Sequence, residues 1–203
     1  MNAITRNTLP AIGAAFEGGF YAGLIALNGE TYGIVVSPKA SGELEEARWG
    51  EYGNDLQAAR HLNDGLANTQ AMAEASSDLA RWMLALDING FADWYLPSRD
   101  ELEILYLQFK PTTETNYQHG RRGENSSAVP ITQHYSAEAP AQTSHEAFQE
   151  GAEQAFEDAW YWSSTQFSPY HAWIQYFGGG GQSSGRKVYE LRARAVRRFK
   201  VTP

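Results

Sequence analysis

Residues 93–102 read DWYLPSRDEL, and this stretch marks a boundary between a strand and a helix. Ser98 and Glu101 form a capping box, in which each side chain accepts a hydrogen bond from the backbone amide of the other residue. Pro97 keeps the residue before it extended, so the segment DWYL cannot continue into the helix. Beyond the cap, apolar residues recur at helical spacing at Leu102, Leu105 and Phe109. The stretch therefore predicts a strand followed by an amphipathic helix.

Upstream, the patterns predict a hairpin and two more helices. Residues 18–37 predict a β-hairpin, because two apolar runs flank the turn dipeptide Asn28-Gly29. The polar residues 38–49 predict a loop. One helix is predicted from a cap at Asn54 to Leu62, and a second from a cap at Asn68. The second helix carries an apolar stripe of Met72, Ala75, Leu79, Met83 and Leu86.

Downstream, residues 111–147 are rich in Thr, Ser, Pro, Gln and Gly. Too few apolar residues occur there for a separate core, which predicts an irregular surface insertion rather than a second domain. A short helix is predicted over residues 146–159, EAFQEGAEQAFEDA. Residues from Ala172 onward alternate as in a strand, and residues 188–199 predict a last strand.

Composition and charge exclude several classes of site. The 203 residues include no cysteine, so disulfides, thiolate metal sites and cysteine nucleophiles are excluded. The net charge of −8 opposes nonspecific binding of the whole chain to nucleic acid. The N-terminal residues show no signal peptide and no membrane-spanning run, which predicts synthesis in the cytoplasm without membrane insertion.

The C-terminal end is basic. From Arg186 to Lys200 the chain has seven basic residues and one acidic residue, Glu190. This pattern is compatible with a nucleic-acid patch or with a strand whose arginines pair with acidic residues elsewhere in the chain, and we expect the second.

No catalytic motif is evident. The five histidines lack paired ligand spacing, so neither a metal site nor a cofactor is expected. Four carboxylates cluster in sequence, but helix capping and a solvated face account for most of them; they are Asp93, Asp100, Glu101 and Glu103. The glycine run lacks the Lys-Ser/Thr pair of a phosphate loop, and no GxSxG is present. We therefore expect no enzyme activity.

Residues 167–189, FSPYHAWIQYFGGGGQSSGRKVY, combine aromatic residues with four consecutive glycines. A glycine run opposes a stiff strand and indicates a loop. The aromatic residues around it are typical of contact surfaces. On residue types alone, a contact surface and a disordered hairpin tip between two core strands remain equally open.

Four ordered motifs carry a family resemblance: DWYLPSRDEL, YWSSTQ, AWxQxF and ELRARAVRRF. Together they resemble C-type-lectin-like domains of the formylglycine-generating-enzyme type, including phage and prophage ligand-binding proteins with an Lcl C-terminal-like domain. The resemblance implies an α+β C-type-lectin-like fold with two helices, a small antiparallel sheet and one irregular insertion. Residues 1–17 would form an N-terminal tail, and residues 18–203 one domain with a variable region at about 160–199 and the insertion at about 111–147.

The final segment resembles the variable region of a protein diversified by a retroelement, in which mutagenic reverse transcription alters asparagine codons within a fixed scaffold. The resemblance implies scaffold positions at Trp162, Ser163, Ser164, Thr165, Gln166, Ala172, Trp173, Gln175, Phe177, Gly180, Gln182, Lys187 and residues 190–198. It implies variable, ligand-binding positions at Phe167, Ser168, Tyr170, His171, Ile174, Tyr176, Gly178, Gly179, Gly181, Ser183, Ser184, Gly185, Arg186, Val188 and Tyr189.

The genetic code provides an internal check of this assignment. Changing the first two bases of an AAC codon cannot give Lys, Gln, Glu, Met or Trp, and none of these occurs at the implied variable positions. Strand alternation predicts that Trp173, Gln175 and Phe177 face the scaffold, and that Ile174 and Tyr176 face the ligand. Because outward side chains contribute little to packing, changes there should cost little stability.

The resemblance implies a ligand-binding, adhesin-like protein whose C-terminal surface recognises a cell-surface protein or glycan. The preferred contacts are Tyr170, Tyr176 and Tyr189. Assembly on a phage tail or as a homo-oligomer, with virion association, is the implied setting, and multivalent display would raise affinity. The family's oxidising enzymes need cysteines that this chain lacks. Two alternatives remain: a structural tail component without a variable ligand, and a carbohydrate-active enzyme that uses the acidic residues near Asp93 and Glu103.

Overall fold

The computed structural model describes residues 4–119 and 123–202. The fold is mostly β, and helices account for about 21% of it. The described strands are β1 Ile4–Thr5, β2 Ala15–Phe16, β3 Gly19–Leu27, β4 Glu30–Val36, β5 Glu43–Ala47, β6 Ala128–Val129, β7 Trp160–Gln166, β8 His171–Tyr176, β9 Gln182–Arg186, β10 Leu191–Arg194 and β11 Val196–Thr202.

The described helices are short. They are α1 Lys39–Gly42, α2 Gly65–Glu74, α3 Asp78–Leu84 and α4 Arg99–Phe109, with 3₁₀ turns at Arg6–Thr8, Gln57–Ala59 and Glu146–Phe148. Within the described ranges, none of them has the length and apolar character that crossing a membrane requires.

The strands form two sheets within the described residues. The first has the order β1-β11-β4-β3-β2, with β6 also paired to β3, and the second has the order β5-β10-β7-β8-β9. Most neighbours are antiparallel, but β1 runs parallel to β11 and β10 runs parallel to β7. Ala195 alone separates β10 from β11, so the chain passes directly from the second sheet into the first.

The predicted N-terminal hairpin is confirmed. Strands β3 and β4 flank a turn in which Asn28 and Gly29 have φ of 52° and 78°, the left-handed values that a tight hairpin turn requires. The predicted loop over residues 38–49 is wrong, because α1 and β5 lie there. Strand β5, ELEEA, pairs with β10 through its backbone, and its side chains do not alternate between apolar and polar.

The capping box at the start of α4 is confirmed. Ser98 Oγ accepts from the Glu101 amide at 3.3 Å, and Glu101 Oε2 accepts from the Ser98 amide at 2.7 Å.

The two helices predicted upstream of α4 need correction. Residues 54–62 contain only the 3₁₀ turn Gln57–Ala59, and the second predicted helix divides into α2 and α3.

The caps of α2 and α3 are Asp64 and Ser77 rather than Asn68. Asn68 is fully buried inside α2, where its side chain accepts from the His61 amide and donates to the His61 carbonyl. Asn68 therefore fixes the segment before the helix instead of starting the helix. Three residues of the predicted stripe are buried, as expected, at Met72, Leu79 and Met83.

The predicted α+β fold with two helices and a small antiparallel sheet is wrong. Two extended sheets are present, and the predicted helix over residues 146–159 is limited to the turn Glu146–Phe148. Several strands are short and polar, such as β9 with the sequence QSSGR. Backbone hydrogen bonds to the neighbouring strands hold them in the sheets, so local side-chain periodicity does not reveal them.

The two ends of the chain pair with the first sheet. β1 pairs with β11, and β2 pairs with β3, so residues from the predicted N-terminal tail contribute strands. Apart from β6 and the start of the turn Glu146–Phe148, the described part of residues 111–147 has neither helix nor strand. The predicted insertion includes residues 120–122, and the predicted tail and domain include residues 1–3 and 203, all of which lie outside the described residues.

The expectation that the C-terminal arginines pair with acidic residues is confirmed. Arg192 lies 2.9 Å from Glu43, and Arg198 lies 2.8 Å from Asp64. Arg197 binds Asp93 at 2.6 Å and also contacts Glu17. These ion pairs join the last two strands to distant segments of the chain.

Candidate functional site

The predicted variable positions lie on β8, on β9 and in the three connecting turns around them. Each of these turns adjoins the second sheet: residues 167–170 precede β8, residues 177–181 join β8 to β9, and residues 187–190 follow β9. Strand pairing places His171 opposite Arg186, and Ile174 opposite Ser183. The structure therefore brings the predicted positions together at one end of the sheet order.

Two of these turns meet. The Lys187 amide donates to the Tyr170 carbonyl at 3.0 Å, which holds the turn after β9 against the turn after β7. Four large side chains of these turns are exposed, and we call them the exposed tip: Phe167 (50%), Tyr170 (48%), Val188 (42%) and Tyr189 (49%).

Three residues outside the predicted variable set adjoin the exposed tip. The ring of Tyr52 lies 5.0 Å from that of Tyr170, and the ring of Trp173 lies 5.2 Å from that of Phe167. The Arg99 guanidinium lies over Trp173, 5.1 Å from the ring centroid. Sequence reasoning missed Tyr52 and Arg99, which are distant in sequence, and no local pattern identifies them.

Lys187 holds the turn after β9 in place from within. The residue is fully buried, and its Nζ donates to Asn54 O at 2.6 Å and to Gln166 Oε1 at 2.7 Å. Its ammonium also lies 4.5 Å from the centroid of the Trp49 ring. Burial lowers the pKa of Lys187 to about 8, because desolvation disfavours the charged form.

Gln166 extends this anchor to the segment before α2. Its Nε2 donates to Asp55 Oδ1 at 2.6 Å, and its Oε1 accepts from the Leu56 amide at 2.9 Å. Both Gln166 and Lys187 belong to the implied scaffold, and both are buried. The exposed tip is therefore supported by a hydrogen-bonded frame beneath it.

The predicted outward orientation of Ile174 is wrong. Ile174 is buried in the same core cluster as Trp162 and Ala172. The opposite face of strand β8 is also covered, because the side chain of the next residue, Gln175, is buried there. Its Nε2 donates to Gly180 O at 2.8 Å, within the turn of residues 177–181 that we call the glycine turn. Strand β8 is packed on both faces at this point, so alternation alone could not identify a solvent face.

Tyr176, a predicted ligand contact, is partly buried. Its ring lies 5.3 Å from that of Trp160, its partner across the strand pair. A hydrogen bond with Asp158, together with partial desolvation, raises the pKa of Tyr176 to about 12. Among the three preferred contacts, Tyr170 and Tyr189 are thus the more accessible.

The glycines of the turn after β8 differ in the space around them. Gly180 has φ of +75°, and an added Cβ would lie 2.3 Å from the Tyr106 ring. A Cβ on Gly178 would lie 2.0 Å from Asp158 Oδ1 and 2.8 Å from the Tyr176 ring. At Gly181 the nearest atom would be 3.5 Å away. A side chain therefore fits at Gly181, whereas one at Gly178 requires Asp158 and Tyr176 to move.

A cavity of about 600 Å³ lies beside this turn. One wall comes from residues 114–119 of the predicted insertion, and the other from β7, β8, β9 and the glycine turn. The residues of the second wall are Trp160, Tyr176, Gly179, Gly181, Gln182 and Ser183. Sequence reasoning did not predict that the insertion contributes to the site.

The acidic residues that could suggest an enzyme are bound elsewhere. Asp93 pairs with Arg197, and Glu103 accepts a hydrogen bond from Tyr135. Glu101 caps α4 and accepts from the Tyr95 hydroxyl at 2.7 Å, while burial raises the pKa of its carboxyl. None of these carboxylates is among the described residues that line the cavity. Within residues 4–119 and 123–202, no three His, Asp or Glu side chains group closely enough to hold a metal ion.

Comparison with known families gives a match over most of the chain. The family model described as the Lcl C-terminal domain matches residues 45–197. The matched segment includes α2 to α4, the cavity and the exposed tip. No curated protein matches the chain.

Proposed function

The chain belongs to the Lcl C-terminal domain family, which is related to the C-type-lectin-like proteins, and from this premise we propose that it is a ligand-binding protein of the adhesin type. Its ligand is a protein or glycan on a cell surface. Recognition uses residues 167–189, and the sequence of this segment is diversified by a retroelement.

One observation carries the proposal: over residues 186–189, exposure of the side chain follows codon class. Arg186, Val188 and Tyr189 are exposed, and all three can arise from an altered AAC codon. Lys187 lies between them, cannot arise from that codon, and is fully buried. Substitution of the exposed side chains should therefore leave the buried frame intact.

The side-chain chemistry of the exposed tip suits a contact surface. Tyrosine and phenylalanine provide large contact areas at low conformational cost, and such residues dominate binding energy in many interfaces. Tyr52 adds a further half-exposed ring beside Tyr170. A small surface of this kind binds modestly, so display in several copies, on a phage tail or in a homo-oligomer, would raise the overall affinity.

The experiment compares wild type with a triple variant, Phe167→Ala, Tyr170→Ala and Tyr189→Ala. Both proteins, fused to a tetramerising tag, are applied to arrays of glycans and of bacterial surface proteins. We expect wild type to bind selected spots and the triple variant to lose at least about tenfold in apparent affinity, because truncation of aromatic anchors removes most of the contact energy. The melting temperature should change little, since all three side chains are about half exposed.

The control is a double variant, Leu62→Ala and Ile131→Ala. These side chains are also exposed, at 41% and 62%, and lie outside residues 167–189. The double variant should bind as wild type does. Unchanged binding by the triple variant, or equal loss in the double variant, would contradict the proposal.

The origin of the variable surface has a separate test in the neighbouring DNA. A retroelement predicts a near-copy of the segment that encodes residues 160–199, with adenines at the codons of the variable positions. Differences between the two copies should fall at adenines. A reverse transcriptase gene should lie nearby. If the sequenced neighbourhood contains neither, the chain is better explained as a structural tail component.

A further inference from the structure

We propose that the cavity beside the glycine turn binds a cationic side chain, a lysine or arginine, of a protein ligand. The inference rests on the proposed function, because four of the lining residues belong to the predicted variable set: Tyr176, Gly179, Gly181 and Ser183. It extends that function by assigning a ligand chemistry and by adding the insertion to the binding site.

Aromatic rings line the cavity from both walls. Trp160 and Tyr176 come from β7 and β8, with ring centroids 5.3 Å apart and planes inclined by 39°. Tyr117 comes from the insertion, is 51% exposed, and lies 5.6 Å from the His119 ring. The faces of Trp and Tyr rings attract cations through their quadrupole, and several rings around one cavity can enclose such a group.

Two acidic side chains are among the described residues at the cavity. Glu114 lines it, and Asp158 is hydrogen-bonded to the Tyr176 hydroxyl. Among the described lining residues there is no lysine or arginine. Lys110 lies near Glu114, but its Nζ donates to the Glu114 and Pro140 carbonyls. A cationic ligand would therefore meet complementary charge, in agreement with the net charge of −8 of the chain.

One lining residue also has a free acceptor. Gln182 Nε2 donates to Gln175 Oε1 at 2.6 Å, and Gln175 Nε2 in turn donates to Gly180 O at 2.8 Å. These two bonds fix the orientation of the Gln182 amide. Its Oε1 is buried and accepts no hydrogen bond from the described residues. An ammonium or guanidinium group carries donors but no acceptor, so a cation that reaches this one oxygen would satisfy it.

The insertion wall is held rigidly against the sheet. The Tyr117 amide donates to Gly179 O at 2.8 Å, and Thr112 Oγ1 donates to Gly178 O at 2.7 Å. The Tyr106 hydroxyl donates to Asn116 Oδ1 at 2.5 Å. A preorganised wall loses little entropy on binding. The wall from residues 114–119 can thus recognise the cation. The wall that contains the predicted variable positions can adapt to the ligand residues that flank the cation.

The test is an NMR titration of the protein with four acetylated and amidated Gly-X-Gly peptides. X is lysine, arginine, acetyl-lysine or citrulline, so each cationic side chain has a neutral counterpart of similar shape. We expect the lysine or the arginine peptide to bind in the millimolar range and about tenfold more tightly than its neutral counterpart. Shifted resonances should map to residues 114–119, Trp160 and Gln182.

Two variants locate the site. Tyr117→Leu removes a ring face, and Glu114→Gln removes a charge. Each substitution should lower the affinity for the cationic peptide by about threefold to tenfold. Tyr52→Leu is the matched control, because Tyr52 is 47% exposed, close to Tyr117, and lies outside the cavity. It should leave peptide affinity unchanged. The ¹H–¹⁵N spectrum of each variant establishes that it is folded.

The proposal is overturned if neither cationic peptide binds at millimolar concentration, or if neither binds more tightly than its neutral counterpart. Equal loss in Tyr52→Leu and Tyr117→Leu would also overturn it. The triple variant of the exposed tip should still bind the peptide. Failure of the peptide titration alongside selective array binding would therefore refute this inference and leave the proposed function standing. The reverse outcome would contradict the proposed function and leave cation binding at the cavity standing.

Discussion

At the scale of single residues, Lys187 illustrates how a charged side chain can serve as a fixed part of a surface that is proposed to vary. A lysine among exposed residues ordinarily extends into solvent, yet this one is fully buried against Trp49, Asn54 and Gln166. Its ammonium donates to Asn54 O and to Gln166 Oε1, so the buried charge has hydrogen-bond partners. The cost is the desolvation of its charge, which lowers its pKa.

This cost predicts a specific dependence of stability on pH. In the folded protein the pKa of Lys187 is about 8, whereas the ordinary pKa of a lysine side chain is 10.5. Between these values the unfolded state binds a proton that the folded state does not, so the free energy of unfolding rises with pH through this window. Relative to Lys187→Met, wild type should gain about 1–2 kcal/mol of stability from pH 7 to pH 9.5.

The measurement is chemical unfolding of both proteins at the two pH values, followed by tryptophan fluorescence. Comparing wild type with the variant cancels the contribution of groups that the two proteins share, including the buried tyrosines with raised pKa values. A constant difference between the two proteins across this range would show that Lys187 is protonated equally in both states.

At the scale of structural elements, the turn between β8 and β9 combines two kinds of glycine. Gly180 is required by its left-handed φ and by close contact with two tyrosine rings, those of Tyr106 and Tyr135. A Cβ added to Gly181 would have no neighbouring atom closer than 3.5 Å, which is an ordinary van der Waals contact. The resemblance placed Gly180 in the scaffold and Gly181 among the variable positions, in line with this difference, but it also placed Gly178 among the variable positions, where an added Cβ would lie 2.0 Å from Asp158 Oδ1.

Gly180→Ala should therefore destabilise the protein by about 2–4 kcal/mol, since it adds backbone strain and overpacks buried rings. Gly181→Ala is the control within the same turn and should change the free energy of unfolding by less than about 0.5 kcal/mol. Thermal unfolding of the two variants checks both values. Equal effects of the two substitutions would mean that the turn relaxes around an added side chain.

The elements that local sequence could predict are those whose determinants are themselves local. The hairpin turn at Asn28-Gly29 and the capping box of α4 require only neighbours in sequence, and both were predicted correctly. Strand β5 and the 3₁₀ turn at Gln57–Ala59 were not, because each depends on partners far away in the chain. Leu56, for example, donates to Gln166, 110 residues later.

At the scale of the whole molecule, the two sheets determine which predicted site residues reach solvent. The resemblance assigned the segment of the proposed site, but which of its side chains are exposed could not be predicted from sequence. Ile174 and Tyr189 were placed in the same set, yet Ile174 belongs to the core and Tyr189 is half exposed. The cavity wall from residues 114–119 was also missed, since only tertiary packing brings the insertion beside the glycine turn.

This division between exposed and buried positions predicts which parts of the segment tolerate randomisation. One library varies the exposed tip, using codons with two random bases and a fixed third base. A second library varies four buried positions in the same way, at Trp162, Ala172, Ile174 and Gly185. We expect most clones of the first library to resist proteolysis, and most of the second to be cleaved, because core substitutions typically cost about 1–5 kcal/mol.

Both libraries are displayed on yeast and sorted for resistance to thermolysin, with the wild type as reference. Sequencing before and after sorting gives the survival of each substitution at each position. Survival at Ile174 should resemble that at Ala172, although Ile174 was assigned to the variable set. If buried and exposed positions survive equally, the frame beneath the exposed tip does not fix the fold, and the physical basis for a diversified surface at this end of the sheet is lost.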